Sequence, residues 1–173
     1  WHIECSAMAK KYLGVPFDVH TGGVDHISVH HENELAQTQG ADGVREANVW
    51  MHSEFLTVDG GKMSKSLGNL YTLSDLMSRG YDPLAFRLLV LMTHYRMKLN
   101  FTFAALDAAQ QALRRLRATA RSWDAPAVGC AEFEAHFLKA INDDLNTPQA
   151  VAVLWELVES DNPSSAKATS VLA

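Results

Sequence analysis

The feature that most constrains the fold of this chain is a change of pattern near residue 80. Before that point, short apolar segments alternate with helical segments and glycine-rich turns, an order typical of α/β domains. After it, apolar residues recur at helical spacing to the end of the chain. The sequence therefore predicts an α/β region followed by an all-α helical bundle region.

The first part is expected to hold helices and extended segments in alternation. Helices are predicted at residues 4–13 and 29–39, because turns containing glycine follow both of them. A strand is predicted at residues 17–20 and a longer extended segment at residues 48–58. The turn at residues 21–25 follows the first strand at its carboxyl end, where ligands bind in open α/β sheets.

The second part carries the start signals of successive helices. Thr72 or Ser74 caps a short helix, and Pro83 begins a helix that runs to about residue 95. A cluster of Asp, Pro and Gly near residues 123–129 marks a seam between helical segments. Further helices are predicted at residues 102–123, 131–143 and 147–160, and the expected bundle core is Phe133, Phe137, Ile141, Leu154, Trp155 and Val158.

Composition limits the class of protein. The net charge of −5 over 173 residues argues against a general nucleic-acid coat. The two cysteines, Cys5 and Cys130, are far apart and indicate no disulfide framework, which suits a reducing compartment. No apolar run reaches the ~20 residues of a membrane span, so we expect a cytoplasmic protein with no membrane partner. The chain begins at Trp1, and we interpret it as an internal segment of a longer protein.

Two lysines three residues apart form the first candidate site. Lys62 and Lys65 are interleaved with Ser64 and Ser66, and glycines flank the run. Ammonium and hydroxyl groups can both reach phosphate oxygens, and glycine lets the backbone approach closely. The pattern favours a polyphosphate-binding loop, although a polar turn after a strand remains an alternative.

A second candidate site is a set of metal-ligand side chains. His30 and Glu34 are four residues apart, so both project from one face of a helix. Cys5 could add a thiolate, and zinc accepts sulfur, nitrogen and oxygen ligands. A surface His–Glu pair and a core cysteine are the alternative interpretation.

Several motifs in a fixed order resemble one family. The chain contains WHIECSAM from Trp1, HHENE from His30, WMH from Trp50, KMSKSLGN from Lys62 and HYR from His94. Together they resemble the cysteinyl-tRNA synthetase family, from the middle of its class I Rossmann-like catalytic domain into its helical region. Residues 1–80 then correspond to the second half of the catalytic domain with its lysine loop. Residues 81–123 correspond to a helical junction that contacts the tRNA stem, and residues 124–173 to the start of the anticodon-binding domain.

The resemblance implies one zinc ion per chain. Cys5, His30 and Glu34 match three of the family's four zinc ligands, and the fourth lies outside this segment. In the family, zinc binds the thiolate of the substrate cysteine, which excludes serine because a hydroxyl is a poor zinc ligand at neutral pH.

The resemblance also assigns the remaining site residues. Lys62 and Lys65 would be catalytic, and ATP with Mg²⁺ would lie against Lys65. The other residues expected to bind ATP are His52, Ser64 and Ser66. Those expected to bind the amino acid are Trp1, His20, Gly22, Gly23 and Asp25. A basic face of the long helix, made of Arg114, Arg115, Arg117 and Arg121, is expected to contact tRNA or to be solvated.

The predicted function is a cysteine–tRNA ligase that acts as a monomer on L-cysteine, ATP and tRNA(Cys). The segment alone is expected to be inactive. The alternatives are the related ligase of mycothiol synthesis, which joins cysteine to an amino sugar, and a non-catalytic helical RNA-binding fragment. Thr21, His26 and Val29 depart from the family pattern near the zinc ligands.

Overall fold

The computed structural model describes residues 1–172, and these form two compact units. One unit comprises Trp1–Phe55 with Tyr95–Lys98, and the other comprises the remaining described residues. The boundary between compact units therefore falls near residue 55, within the predicted range 1–80. The three domain ranges drawn from the family resemblance stay a prediction.

The first unit is a βαβ arrangement with a preceding helix. Strands β1 and β2 are parallel, with Phe17 opposite Ala47 and Gly23 opposite Ser53. Their carboxyl ends therefore meet at one edge. Strand β1 extends to Gly23, so the first three residues of the turn predicted at residues 21–25 belong to the strand. The elements are α1 (His2–Leu13), β1 (Phe17–Gly23), a 3₁₀ turn (Val24–His26), a π turn (Ile27–His31), α2 (Glu32–Asp42) and β2 (Ala47–Ser53).

Two sequence predictions are corrected in this unit. The helix expected at residues 29–39 begins as a wider π turn, and its regular α part covers Glu32–Asp42. The single extended segment expected at residues 48–58 is two strands, because Glu54 and Phe55 interrupt it. The second of these strands pairs in the other unit.

The second unit begins with a small three-stranded sheet. Strand β3 (Leu56–Val58) pairs antiparallel with β4 (Gly61–Lys62) and parallel with β5 (Leu99–Phe101). Asp59 and Gly60 join β3 to β4 with φ angles of 48° and 78°. Two successive positive φ angles are typical of a type I′ hairpin, for which Asp-Gly is a favoured sequence.

Six helices complete the second unit, and four of them begin at a side-chain cap. Thr72 and Asp75 form a capping box, and Asp82, Thr102 and Asn146 each accept a bond from the first turn that follows. The predicted helix at Pro83 is shorter than expected and ends at Leu91. The helices are α3 (Leu73–Ser78), α4 (Pro83–Leu91), α5 (Phe103–Arg121), α6 (Ala131–Asn142), α7 (Thr147–Glu159) and α8 (Ser164–Leu172).

The core of this unit lies between the sheet and α3, α4 and α5. Ala85 and Leu106 are fully buried, and Phe101 and Val58 from the sheet pack with them. The core predicted for α6 and α7 was wrong for Phe137, and its other five residues are half-buried. Phe137 is 42% exposed, and none of the other predicted core residues reaches full burial. The buried side chains are instead Ala140, Ala150, Val153 and Leu157.

Within residues 1–172, none of the helices combines the length and the apolarity that crossing a membrane requires.

Candidate functional site

A cluster of histidines lies at the carboxyl edge of β1 and β2 in the first unit. Neighbouring ring centroids in the cluster are 4.5–5.6 Å apart. The strands supply two members, α1 supplies one, and the 3₁₀ and π turns supply three. The cluster holds six of the chain's eight histidines: His2, His20, His26, His30, His31 and His52.

Glu34 is the buried acid beside this cluster. It projects from the first turn of α2 and has no exposed surface. His20 Nε2 donates to Glu34 Oε2 at 2.8 Å, which fixes the carboxylate plane. Glu34 Oε1 lies 3.1 Å from His30 Nε2 but is not aligned for a hydrogen bond, and it has no hydrogen-bond partner among residues 1–172. A bound ion or an ordered water can satisfy a buried acceptor of this kind.

The three predicted metal ligands are brought together by the fold. Ligand atoms of Cys5, His30 and Glu34 all lie within 4.8 Å of one another. His2 Nδ1 contacts His30 Nδ1 at 2.5 Å, which leaves His30 Nε2 available to a metal. The thiolate, imidazole and carboxylate are the donor set that zinc accepts. These residues therefore fit a zinc ion, and their assignment as zinc ligands stays a prediction.

The electrostatics of the cluster also suit a cation. Burial, followed by the Glu34 carboxylate, raises the pKa of the Cys5 thiol. A divalent cation would reverse that effect, because it stabilises a coordinated thiolate. Burial, reinforced by the surrounding histidines, lowers the pKa of His31 to about 4. Burial also lowers the pKa of His52, whose Nε2 is hydrogen-bonded to His31 Nδ1 at 2.7 Å. The lowered pKa values keep the imidazoles of His31 and His52 neutral, and neutral imidazole is the form that binds metals.

The residues expected to bind the amino acid are distributed around the same cluster. The exposed Trp1 ring lies 4.7 Å from the His30 ring. His20 stacks on Trp50 with ring centroids 4.6 Å apart. A Cβ atom on Gly22 would lie 2.6 Å from His31 Cε1, so only glycine fits there without displacing the imidazole. The other two expected residues are Gly23, at the end of β1, and Asp25, exposed in the 3₁₀ turn.

The lysine loop belongs to the second unit and follows the β3–β4 hairpin. Lys62 ends β4, Lys65 lies in the turn beyond it, and both are exposed. Ser64 Oγ lies 3.2 Å from Ser66 Oγ, so the two expected phosphate-contacting hydroxyls are adjacent. The loop therefore presents two ammonium and two hydroxyl groups within five residues, as a polyphosphate-binding loop requires.

The basic face of α5 is partly used within the chain. Arg115 forms an ion pair of 3.2 Å with Glu159 and lies over the Trp155 ring. Arg117 forms an ion pair with Asp82, the cap of α4. These acids come from other elements, which the sequence of α5 alone did not reveal. Arg114 and Arg121 are exposed on α5.

Sequence reasoning missed several residues of the cluster. His2, His26, His31 and Trp50 carried no assigned role, although the density of histidines within residues 1–52 was a signal that could have found them. Glu46 gave no signal at all. It is fully buried just before β2, and burial raises the pKa of its carboxyl.

Sequence comparisons place these features in a family. Residues 1–111 match the family described as tRNA synthetases class I (C) catalytic domain, and residues 136–172 match the DALR domain. The chain is 56% identical over 171 residues to cysteine–tRNA ligase 1 of Burkholderia lata, covering 98% of this chain and 36% of that protein. It is 52% identical over 158 residues to the cysteine–tRNA ligase of Opitutus terrae, covering 91% and 34%. The chain thus spans about a third of the length of the curated relatives it matches.

Solved structures support the fold. A ternary complex of Agrobacterium radiobacter LeuRS with tRNA and LeuAMS superposes with a TM-score of 0.72 at 17% identity, covering 91% of this chain and 24% of the other. Mycobacterium tuberculosis methionyl-tRNA synthetase with methionyl-adenylate gives a TM-score of 0.54 at 16% identity, covering 90% and 39%. The fold of the chain is therefore that of class I synthetases. With the sequence match over residues 1–111, the chain belongs to the class I (C) tRNA synthetase catalytic domain family.

Proposed function

We propose that the protein is a cysteine–tRNA ligase, which activates L-cysteine with ATP and transfers it to tRNA(Cys). The observation that carries the proposal is the convergence of Cys5, His30 and Glu34 around an unpartnered carboxylate oxygen. The identity of 56% to a cysteine–tRNA ligase supports it independently. The chain covers 36% of that relative, so the complete activity requires parts of the enzyme outside these 173 residues.

Zinc is the metal that this ligand set fits, and when bound it would bind the substrate thiolate and so favour cysteine over serine. Cys5, His30 and Glu34 would supply three ligands, with the fourth from outside the chain. His2 holds the His30 ring through its Nδ1, and His20 holds Glu34 through Oε2. The site would therefore select cysteine over serine, because a serine hydroxyl cannot replace the thiolate as a ligand.

The pocket for the amino acid would be formed at the end of β1. Trp1 lies against His30 and can cover a small side chain bound beside the ligands. Gly22 lets the backbone of β1 approach the His31 ring. Asp25 offers an exposed carboxylate that would pair with the substrate ammonium. His52 lies at the end of β2, where it would contact the adenine side of the adenylate.

The lysine loop would act in the activation step. The carboxylate oxygen of cysteine attacks the α-phosphorus of ATP, the bond to the bridging oxygen breaks, and pyrophosphate leaves with its electron pair. Lys62 and Lys65 would neutralise the charge that develops on the pyrophosphate, with Mg²⁺ bound to the nucleotide. Ser64 and Ser66 would donate hydrogen bonds to phosphate oxygens.

The transfer step needs tRNA. The 2′-hydroxyl of the terminal adenosine attacks the carbonyl carbon of cysteinyl-adenylate, AMP leaves, and an ester forms. Arg114 and Arg121 are exposed on α5 and would contact tRNA phosphates, with Arg115 and Arg117 beside them. We further propose a cytoplasmic monomer.

The test uses the full-length protein, with metal analysis and two activity assays. We expect one zinc per chain, cysteine-dependent exchange of pyrophosphate into ATP, and charging of tRNA(Cys). His30→Ala should lose zinc and exchange, whereas His136→Ala, an exposed histidine on α6, should lose neither. Exchange with cysteine without charging of tRNA would reject the tRNA ligase in favour of a cysteine ligase with another acceptor. Absence of both activities would reject the enzymatic proposal.

A further inference from the structure

The amide side chain of Asn69 holds the backbone at the start of the lysine segment. Asn69 Nδ2 donates to the Lys62 carbonyl oxygen at 3.0 Å. The Ser64 backbone N–H donates to Asn69 Oδ1 at 2.9 Å. One side chain therefore fixes the backbone on both sides of Met63.

This pairing reproduces a β-ladder. In a parallel sheet, one residue accepts from the N–H after its partner residue and donates to the carbonyl before it. The Asn69 amide makes those two bonds around Met63, just after β4 ends at Lys62. The side chain thus takes the place of a neighbouring strand, and it extends the ordered backbone beyond the end of β4.

Two further hydrogen bonds shape the rest of the loop. Gly68 N–H donates to the Lys65 carbonyl at 3.1 Å, and Gly68 has a φ of 66°, which favours glycine. Leu67 N–H donates to Ser64 Oγ at 3.3 Å. These bonds make a compact turn with Lys65 in it, but they do not connect that turn to β4. The connection is made by Asn69, while the Met63 side chain packs against the core of the unit.

We propose that Asn69 is a positioning residue for Lys62 and Lys65, which sets their backbone before ATP binds. This inference rests on the proposed function, in which the two ammonium groups neutralise the departing pyrophosphate. A charge stabilises a transition state best when it needs no reorganisation at the moment of reaction. Loss of the amide should therefore lower the turnover of activation while leaving the folded unit intact.

The test compares Asn69→Ala and Asn69→Asp with Asn142→Ala in the full-length protein. Asn142 is an exposed asparagine at the end of α6, in the same unit as the loop. The first readout is trypsin cleavage after Lys62 and Lys65 under native conditions, with the cut bonds identified by mass spectrometry. We expect about 10-fold faster cleavage in Asn69→Ala, because a proteinase needs a locally opened loop. Asn69→Asp keeps the acceptor for Ser64 N–H but loses the donor, so it should be intermediate.

The second readout is the rate of ATP–pyrophosphate exchange. We expect kcat to fall roughly 10- to 100-fold in Asn69→Ala, the range expected when a catalytic group is misplaced, with the thermal midpoint unchanged. In a Lys65→Ala background the same substitution should lower kcat less, because one of the two groups that it positions is gone. Asn142→Ala should behave as the unaltered protein in both assays.

Equal cleavage rates in Asn69→Ala and the unaltered protein would overturn the inference. Independent effects would also overturn it, namely a fold-loss of kcat in the double variant that equals the product of the losses in Asn69→Ala and Lys65→Ala. Failure of the proposed function has a different signature, namely no cysteine-dependent exchange by the unaltered protein. In that case the cleavage assay, which does not depend on enzymatic activity, still tests whether Asn69 holds the loop.

Discussion

The buried carboxyl of Glu46 should lower the stability of the first unit, and removing it should raise that stability. Glu46 is fully buried, and neither of its carboxylate oxygens has a hydrogen-bond partner within the described chain. Its backbone carbonyl accepts from Phe17 N–H at 3.0 Å, a bond that a side-chain substitution leaves in place. An unsatisfied buried polar group costs about 1–3 kcal/mol, and more when it is charged. We therefore expect Glu46→Leu to raise the free energy of unfolding by about 1–3 kcal/mol at pH 7.

The pH dependence gives a sharper expectation. Burial first, and then the Glu34 carboxylate, raises the pKa of Glu46, while His20 acts in the opposite direction. The folded protein thus binds this proton more tightly than the unfolded chain does. The contribution of Glu46 is therefore most favourable below the ordinary glutamate pKa, and it declines as the pH rises from that value to the folded pKa. Glu46→Gln cannot titrate and should flatten this decline, although its amide stays unsatisfied.

The assay is urea unfolding of the three proteins between pH 4 and pH 8, followed by tryptophan fluorescence. A gain of 1 kcal/mol corresponds to a rise of about 0.3–1 M in the urea concentration at the midpoint. Glu132→Gln, on the exposed side of α6, is the control and should stay within about 0.5 kcal/mol. The reasoning is refuted if Glu46→Leu unfolds at lower urea concentration, or if both Glu46 variants keep the pH dependence of the unaltered protein.

Three further substitutions test other parts of the structure. Thr72→Ala removes the capping box with Asp75 and should lower stability by about 1 kcal/mol, which thermal unfolding would measure; an unchanged midpoint would contradict the cap. Gly22→Ala places a Cβ atom against the His31 ring, which packs on His20, the residue bonded to Glu34. It should therefore weaken zinc binding by about 10-fold in a chelator competition, and equal affinity would show that the ring can move aside. Arg115→Ala removes an exposed ion pair and should change stability by no more than about 1 kcal/mol, so a larger loss in urea unfolding would indicate a structural role that exposure does not suggest.

The sequence predicted those features that depend on residues close together in the chain. The spacing of His30 and Glu34 placed their ligand atoms on one face, even though the helix begins as a π turn. Thr72 caps the helix that its position indicated, with Asp75 completing the capping box. Each of these features is decided within one helical turn, so local chemistry is sufficient to determine it.

Features that depend on distant partners were harder to predict. The break at Glu54 was missed because the residues on both sides of it favour strands, and only pairing shows that they join different sheets. The large residues of α6 and α7 were expected in the core, but the buried side chains are Ala140, Ala150, Val153 and Leu157. Phe137 consequently remains 42% exposed, since hydrophobicity alone does not tell which face of a helix is covered.

Glu34 and Glu46 show why a buried, unpartnered carboxylate needs its surroundings before it can be interpreted. Both side chains have no exposed surface, and each has at least one oxygen without a hydrogen-bond partner in residues 1–172. The free oxygen of Glu34 faces a thiol and an imidazole nitrogen, which are themselves metal ligands, so a single cation would satisfy all three groups. Glu46 is not among the residues whose ligand atoms converge with those of Cys5, His30 and Glu34, and burial is the main cause that raises the pKa of its carboxyl. The same physical fact, a desolvated carboxyl, therefore indicates a site in one case and a loss of stability in the other.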